Sequence, residues 1–447
     1  MKVLKFGGTS VGSVESLLQV KEILKNELGK KIVVCSAMSG VTDQLVQLLE
    51  SIRLGDAPQI ELKIERLRLR HQELICSLIT DQKSRDEFLD DLNGMIRDIS
   101  KLASQEFTGV LYSRIITYGE TLLTSIFSKY LNAVGIHNTL LLAKDFMFVD
   151  SIENPNIGKV SVELRELLSK KEKSSIYITQ GFVCRDAQGE ISNLSRGGSD
   201  FTATIIAAAV DAEEVQIWTD IDGLHNNDPR YVNGTKSIPH LSYNEAEELA
   251  HFGAKILHAN TVFPVVDKKI PILLKSTFDP NALGTVISDS VKSEGLKAIS
   301  AKDNIMIVEL TSKRKLISKN SLQKILRTFD EHEVPVHVIS SSRTATSVAI
   351  DNNVIIDEIL KELENFFSLR LENNKCIISI VGEHIVNDKN LSKFFEISNV
   401  VPIKMISFGV NNNISILVDS KYKVPALEFL NKKLFALVEA DVQTVLS

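Results

Sequence analysis

Residues 1–10, MKVLKFGGTS, bring a short apolar strand directly into two glycines and two hydroxyl residues. Glycine lets backbone amides approach phosphate oxygens, and the N-terminus of a following helix favours negative charge. Lys5, at the end of the strand, could offset charge on a transferring phosphoryl group. Taken alone, the motif supports equally well a strand–helix turn with a solvated lysine. The P-loop pattern GxxxxGK[ST] does not occur in the chain.

The bulk composition limits the class of protein. A chain of 447 residues predicts two or three domains, and 44% hydrophobic with 24% charged residues predicts a globular protein. The net charge of −6 argues against a nucleic-acid partner. Since no apolar run approaches ~18 residues, no membrane span is expected. Four widely spaced cysteines without a CxxC pair favour reduced thiols in the cytoplasm and disfavour a zinc site.

Strand and helix patterns alternate through residues 1–290. Residues 14–28 predict an amphipathic helix with Leu17, Val20, Leu24 and Leu28 on one side. Residues 60–105 are charged and predict an excursion of two helices. The predicted strands after the first are residues 32–35, 138–142, 176–180, 215–218 and 271–275. This alternation predicts an α/β fold with a mainly parallel sheet and helices on both of its faces.

The tail repeats itself. Residues 334–340, VPVHVIS, resemble residues 401–407, VPIKMIS, and a second strand ending in aspartate follows each, at Asp351 and Asp419. Helical patterns flank both copies, which makes duplication a better interpretation than chance similarity. The tail therefore predicts two copies of a small β-α-β-β-α unit.

A second glycine pair lies in SRGGSD, residues 195–200, before residues 201–210, which are apolar enough for a buried helix. Arg196 can bind a carboxylate through two parallel hydrogen bonds. Asp200 has two interpretations that the sequence does not separate. It is either the N-cap of the helix or a group that orients Lys5 or a metal ion.

Two further segments carry charged residues. WTDIDGL at residues 218–224 leads to Asp228-Pro229-Arg230, and FGAK at residues 252–255 places a lysine near a helix end. Each has an ordinary explanation, since Asp-Pro is a turn signal and lysine complements a helix dipole. Two glycine turns with strong cations and a third loop rich in charge are harder to explain as structure. Together they predict a phosphoryl-transfer site with an anionic substrate.

These motifs, KFGGTS, SRGGSD, WTDIDG…DPR and FGAKILH, resemble aspartate kinases of the amino acid kinase family, in the same order and spacing. The doubled tail resembles the paired ACT domains of that family. The resemblance implies an amino acid kinase-like three-layer α-β-α sandwich followed by two ferredoxin-like ACT units. We expect a catalytic domain at residues 1–290, a first ACT unit at 296–375 inserted into a second at 376–447, and the monofunctional form.

The resemblance also implies roles for individual residues. Lys5 and Asp200 would be catalytic, with Lys5 stabilising the γ-phosphoryl charge and Asp200 holding the site in register. The residues implied for aspartate are Thr42, Glu120, Arg196 and Ser199. Those implied for ATP are Lys5, Gly7, Gly8, Ser10, Thr219, Asp220, His225, Arg230 and Lys255. His225 stands where relatives often carry tyrosine, and an imidazole can still stack on adenine.

The implied reaction is ATP plus L-aspartate giving 4-phospho-L-aspartate and ADP, the first step towards lysine, threonine and methionine. Mg²⁺ would bridge the phosphates of ATP, with no metal site on the protein. The attacking carboxylate is already ionised at neutral pH, so no general base is required. That agrees with a sequence in which no histidine or cysteine nucleophile constellation is evident, and it leaves positioning and charge neutralisation to the protein.

The ACT resemblance implies a homodimer and an amino-acid effector, lysine or threonine, with Ser340, Ser341 and Thr346 as its contacts. Residues 312–320, SKRKLISKN, lack the glycine that relatives usually carry near the effector and are strongly basic. Three interpretations stay open: a shifted lysine site, a site for another effector, or an ACT pair kept only for dimerisation. Residues 313–315, KRK, would repel a lysine ligand if they pointed inward, and they form a solvated charged run if they point outward.

Two other functions fit parts of the sequence. A kinase for another carboxylate, such as glutamate or acetylglutamate, fits the glycine turns but not the ACT tail. An amino-acid sensor without kinase activity fits the tail, but it has no reason to keep Lys5, Arg196 and Asp200 together. Because most glutamates lie on the surface, Glu120 would by default be a helix-surface carboxylate.

Overall fold

The computed structural model describes residues 1–151, 154–171, 174–195, 197–253, 259–290, 294–313, 321–352, 356–409 and 412–435. These residues form two compact units. The first comprises the described residues of Met1–Leu224, Pro239–Tyr243 and Leu257–Ser290. The second comprises those of His225–Ile238, Asn244–Ile256 and Val291–Ser447.

An eight-stranded sheet with the order β10-β12-β11-β9-β1-β2-β6-β3 forms the centre of the first unit. Its neighbours run parallel except β11 and β12, which confirms the predicted mainly parallel sheet. Two small sheets of two strands each, β4-β5 and β7-β8, belong to the same unit. The strands of the unit in chain order are β1 Lys2–Phe6, β2 Lys31–Cys35, β3 Thr139–Leu141, β4 Val149–Ser151, β5 Asn154–Pro155, β6 Ile176–Gln180, β7 Val183–Arg185, β8 Ile191–Asn193, β9 Val215–Thr219, β10 His240–Ser242, β11 Ile272–Ser276 and β12 Thr285–Ser288.

Helices alternate with these strands along the chain, as predicted. Their bounds are α1 Val14–Asn26, α2 Val41–Leu54, α3 Ala57–Leu78, α4 Gln82–Ala103, α5 Gly109–Ile116, α6 Tyr118–Ala133, α7 Ile157–Lys170, α8 Gly198–Val210, α9 Tyr243–His251 and α10 Ala259–Val266. The two-helix excursion is confirmed as α3 and α4, and α8 is buried along almost its whole length, as predicted.

The predicted extent of α1 is wrong at its C-terminal end. Ser13 and Ser16 form a capping box that starts the helix, which ends at Asn26 with Leu17, Val20 and Leu24 buried. Leu28 lies beyond that end and is 82% exposed. Helical periodicity alone could not place the stop, because Leu28 continues the apolar spacing.

A six-stranded antiparallel sheet with the order β14-β15-β13-β16-β18-β17 organises the second unit. Its strands are β13 Gly295–Ser312, β14 Val336–Ser341, β15 Ala345–Asp351, β16 Phe367–Glu383, β17 Met405–Phe408 and β18 Asn413–Asp419. Its helices are α11 Ser321–Glu331, α12 Ile356–Glu364, α13 Leu391–Phe395 and α14 Lys423–Leu434.

The two copies of the tail repeat share the long strands β13 and β16. Val308, late in β13, pairs with Leu371 early in β16, whereas Ala298, early in β13, pairs with Val381 late in β16. Each copy buries its own apolar cluster, one around Phe329 and the other around Phe394. The predicted pair of ferredoxin-like units is confirmed, and the expected boundary after residue 375 falls inside β16.

Among the described residues, none of the helices has the length and apolar character needed to cross a membrane.

Candidate active site

Lys5 lies near the carboxyl end of β1, a central strand whose parallel neighbours β2 and β9 end at the same edge of the sheet. Ligands of such sheets bind at this edge. The Lys5 Nζ lies 2.6 Å from Asp200 Oδ1, and both side chains are nearly buried. Asp200 stands in the first turn of α8, where the helix dipole also favours a negative charge. The N-cap interpretation of Asp200 is wrong, because Gly197 takes that position with φ 78°.

The Lys5–Asp200 pair borders a cleft of about 330 Å³ within the first unit. Six of the residues that the sequence predicted for the site line it together: Lys5, Gly8, Thr42, Glu120, Ser199 and Asp200. The cleft combines one cation, two carboxyl groups and two hydroxyl groups from these residues. That composition suits a small zwitterionic or anionic ligand.

Glu120 is buried in the first turn of α6, so its interpretation as a surface carboxylate is wrong. Its Oε1 accepts a hydrogen bond of 3.1 Å from the Ala37 amide, and its buried Oε2 has no hydrogen-bond partner among the described residues. Burial raises the pKa of the Glu120 carboxyl to about 8, although the Ala37 amide acts in the opposite direction. A cation in the cleft would stabilise its ionised form.

The turn at residues 36–40 and Phe182 also line the cleft, although they were not predicted as site residues. The turn follows β2, so it lies at the same sheet edge as the turn after β1. An added Cβ on Gly8 would lie 3.1 Å from the Ala37 carbonyl oxygen, which shows how closely the two turns approach. The small residues after a buried strand were a usable signal. Phe182 has φ 67° and gave no such signal.

Two groups expected to contact the nucleotide are engaged within the protein. The Gly7 amide donates to the Trp218 carbonyl at 3.2 Å. The buried Ser10 hydroxyl lies 2.7 Å from Thr277 Oγ1 and 3.3 Å from the Trp218 carbonyl oxygen. In this conformation these groups connect the ends of neighbouring strands. A direct contact to phosphate by either group would require that bond to be exchanged.

Thr219 and Asp220 lie at the carboxyl end of β9, next to β1, and the Thr219 hydroxyl donates to Asp220 Oδ1 at 3.1 Å. His225 and Arg230 belong to the second unit. There the His225 Nδ1 lies 2.8 Å from Thr235 Oγ1, and the Arg230 Nε donates to Asp228 Oδ1 at 2.8 Å. Arg196 and Lys255 lie outside the described residues.

The residues expected to contact an effector lie on β14 and β15 of the second unit. Ser341 pairs with Thr346, and their hydroxyl oxygens are 2.9 Å apart. Ser340 is the preceding residue of β14, which is an edge strand of the sheet. Lys313 Nζ donates to the Glu364 carbonyl at the end of α12, 2.5 Å away. Residues 314–320 of the basic turn lie outside the described part of the chain.

Comparison with known proteins agrees with this geometry. The model of the amino acid kinase family matches residues 1–276, and the aspartokinase of Chlamydia trachomatis is 30% identical over 97% of this chain and 98% of its own. The chain belongs to the aspartokinases of the amino acid kinase family. The predicted resemblance is therefore confirmed.

Other aspartokinases give the same result. Aspartokinase 3, chloroplastic, of Arabidopsis thaliana is 29% identical over 97% of this chain and 81% of its own. Escherichia coli aspartokinase III in complex with aspartate and ADP (R-state) is 26% identical, with a TM-score of 0.87 over 97% of this chain and all of that one. The complex of the same enzyme with lysine and aspartate (T-state) has a TM-score of 0.78, and the match covers 97% of this chain and 99% of that one.

Proposed function

We propose that this aspartokinase transfers the γ-phosphoryl group of ATP to the side-chain carboxylate of L-aspartate, giving 4-phospho-L-aspartate and ADP. The observation that carries the proposal is the Lys5–Asp200 pair beside a cleft that also contains Glu120. The cleft lies at the sheet edge where ligands of parallel sheets bind. A bond forms between the substrate carboxylate oxygen and the γ-phosphorus, while the bond from that phosphorus to the β–γ bridging oxygen of ATP breaks.

Lys5 supplies positive charge to the transferring phosphoryl group, whose oxygens carry the charge that limits the reaction. Asp200 holds the ammonium of Lys5 at 2.6 Å in one orientation before substrates arrive. Since the attacking carboxylate is ionised at neutral pH, no residue has to remove a proton. The protein contributes position and charge.

Glu120 binds the substrate ammonium, which supplies the counter-charge that its buried carboxyl lacks. Thr42 and Ser199 offer hydroxyl groups to the substrate carboxylates from opposite elements, α2 and α8. Arg196 follows Ser195 of the cleft lining, and we assign it to a substrate carboxylate as its sequence motif predicts.

For the nucleotide, we keep the predicted contacts of Gly8, Thr219, Asp220, His225, Arg230 and Lys255. Gly7 and Ser10 act on it indirectly, by holding the strand ends through Trp218 and Thr277. Mg²⁺ enters as part of the MgATP substrate. Its phosphates and water would supply most of the oxygen ligands of the ion.

We propose that residues 1–290 form the catalytic domain and that the first ACT unit is inserted into the second. The pairing of Ala298 with Val381 supports the insertion, because β13 begins in one ACT unit and ends in the other. A homodimer through the ACT sheets and an effector, lysine or threonine, at Ser340, Ser341 and Thr346 complete the proposal. Lys313 Nζ donates to the Glu364 carbonyl at the end of α12 and keeps its charge. The free cysteines support a cytoplasmic location.

The test is ADP release by the purified protein with MgATP and L-aspartate, repeated with L-glutamate. We expect turnover with aspartate and little with glutamate. Addition of L-lysine, L-threonine or both then identifies the effector. Equal turnover with the two acids would contradict the proposed substrate. Activity unchanged across a wide titration of both amino acids would contradict the proposed effector.

A further inference from the structure

Arg70 on α3 contacts the cleft turn at residues 36–40 from outside the sheet. Its Nη2 donates a hydrogen bond of 2.5 Å to the Ser39 carbonyl. Ser39 and Gly40 both line the cleft, and Gly40 is the N-cap of α2 with φ 76°. Arg70 therefore acts on the segment between the cleft and the first turn of α2, which carries Thr42.

Three further hydrogen bonds anchor this turn, and the first runs from the Ser36 amide to the Phe6 carbonyl at 3.1 Å. The Ala37 amide donates to Glu120, and the Ser39 amide donates to the Gly8 carbonyl at 3.1 Å. These two bonds join the turn to the expected ammonium site and to the first glycine turn. Arg70 is the fourth anchor, and it bonds the carbonyl of the same Ser39 whose amide is bound to Gly8. Among these four anchors, Arg70 is the one that comes from a side chain outside the cleft lining.

The position of Arg70 is set by the packing of α3. Leu67 and His71, on either side of it in the sequence, are buried in the core with the rest of the apolar face of the helix. Earlier in α3, Lys63 Nζ donates to the Gln47 carbonyl at 3.0 Å and to Ser51 Oγ at 2.5 Å, both in α2. Lys63 therefore binds α3 to α2 itself, whereas Arg70 binds it to the turn that precedes α2, at the cleft.

The positive charge of Arg70 also favours binding of an anionic substrate in the cleft. The Arg70 Nη1 lies 3.9 Å from the position that a Cβ on Gly40 would take. The guanidinium thus stands beside the N-terminus of α2, whose amides and dipole already favour an anion. Addition of a full positive charge at this rim favours a substrate that carries two carboxylates.

We propose that Arg70 is a positioning residue for the amino-acid substrate. It holds the turn at residues 36–40 so that Thr42 and the Ala37–Glu120 bond keep the geometry that binds aspartate, and it leaves the phosphoryl-transfer step to Lys5. This inference rests on the proposed function, because it takes the cleft to be the aspartate site. It concerns the KM for aspartate, whereas the proposed function concerns the existence of aspartate-dependent turnover.

The experiment compares Arg70→Ala, Arg70→Lys and the control Arg66→Ala in the full chain. Arg66 is an exposed arginine on the same helix. We expect Arg70→Ala to raise the KM for aspartate about tenfold, as for the loss of one charged hydrogen bond, with kcat and the KM for ATP within about twofold of wild type. Arg70→Lys keeps a charged donor and restores part of the affinity, and Arg66→Ala matches wild type. Thermal melts check that each variant folds.

Three results would overturn the proposal: an unchanged KM for aspartate in Arg70→Ala, a loss confined to kcat, or an equal rise in Arg66→Ala. Calorimetric titration of L-aspartate into wild type and Arg70→Ala separates this inference from the proposed function. If wild type binds aspartate but does not turn it over, the proposed function fails while weaker binding by Arg70→Ala still supports the positioning role. If the two proteins bind aspartate equally, the positioning role is excluded.

Discussion

Two buried lysines with acidic partners, one in each unit, do different work. Lys5 lies 2.6 Å from Asp200, and Lys375 lies 2.5 Å from Asp419 and 3.1 Å from Glu372. The side chain of Lys5 is 10% exposed and that of Lys375 is 8% exposed, so burial does not distinguish them. Their surroundings do, because Lys5 borders the cleft whereas Lys375 and Asp419 are directly paired residues of β16 and β18.

The comparison shows that a buried ion pair is weak evidence for either stability or function until its neighbours are known. At the carboxyl end of a parallel sheet, beside a cleft, the charge of Lys5 is available to a ligand. Between two antiparallel strands, carboxylates of the protein neutralise the charge of Lys375.

The largest effect is expected for Lys5→Met. Removal of the charge that stabilises the transferring phosphoryl group should lower kcat by about 10²–10³-fold. The protein should still fold, but its melting temperature should fall, because Asp200, whose side chain is 12% exposed, loses its charged partner. Steady-state ADP release and a thermal melt measure both quantities. A kcat near that of wild type would remove Lys5 from the mechanism.

Lys375→Met should lower stability but leave turnover intact. The free energy of unfolding is expected to fall by roughly 1–3 kcal/mol, because Asp419 and Glu372 lose a charged partner in a largely buried setting. The kcat should stay within about twofold of wild type. Denaturant unfolding followed by circular dichroism gives the comparison.

The matched control is Lys404→Met, since Lys404 also pairs with Glu372 but is 39% exposed. Its loss should cost less than about 1 kcal/mol. If Lys375→Met and Lys404→Met proved equally stable, burial of the pair would have no role in stability.

Asp200→Asn tests whether Lys5 and its partner act as one group. We expect the single variant to lose about tenfold in kcat, because Lys5 keeps its charge but loses its orientation. The double variant Lys5→Met/Asp200→Asn should be no slower than Lys5→Met alone, since residues that act as a unit are not additive. Additive losses in the two single variants would show that Asp200 acts independently of Lys5.

Glu120 is a buried carboxyl without a cation, and its effect depends on pH. Because its pKa is about 8, the free enzyme holds a proton on Glu120 below that pH, and binding of the substrate ammonium must release it. The KM for aspartate should therefore rise as pH falls below about 8, by at most about tenfold per pH unit. Glu120→Gln should weaken binding and remove this dependence. A KM for wild type that does not change between pH 6 and pH 8 would contradict the assignment.

The raised pKa of Glu120 also affects how the stability of the protein depends on pH. Burial raises the pKa of Glu120 in the folded protein from its usual value of 4.5 to about 8. Between these two pH values, the folded state keeps a proton on Glu120 that the unfolded state has lost. The stabilisation from this proton is fully present below pH 4.5 and is lost as pH rises through about 8. Relative to wild type, Glu120→Gln should become more stable over this range, as measured by melts at a series of pH values.

Much of the fold was predictable because its cause is local. Alternating apolar runs and amphipathic helices predicted β1, β2, β6, β9 and β11, and the repeat in the tail predicted two similar units. The extent of α1 was not predictable, since Leu28 keeps the helical spacing after the helix has ended. No local sequence pattern predicted that the two ACT units share β13 and β16, because strand register depends on which strands meet.

By itself, the sequence determined the cation at the end of the first strand, the two glycine turns and the alternation that brings strand ends to one edge. These follow from residue type and short-range periodicity. Only the tertiary structure decided that Asp200 pairs with Lys5, that Glu120 is buried and holds the Ala37 amide, and that Arg70 reaches Ser39. The reason is physical: pKa, burial and hydrogen bonding depend on neighbours that lie far away in the chain, and packing alone brings them together.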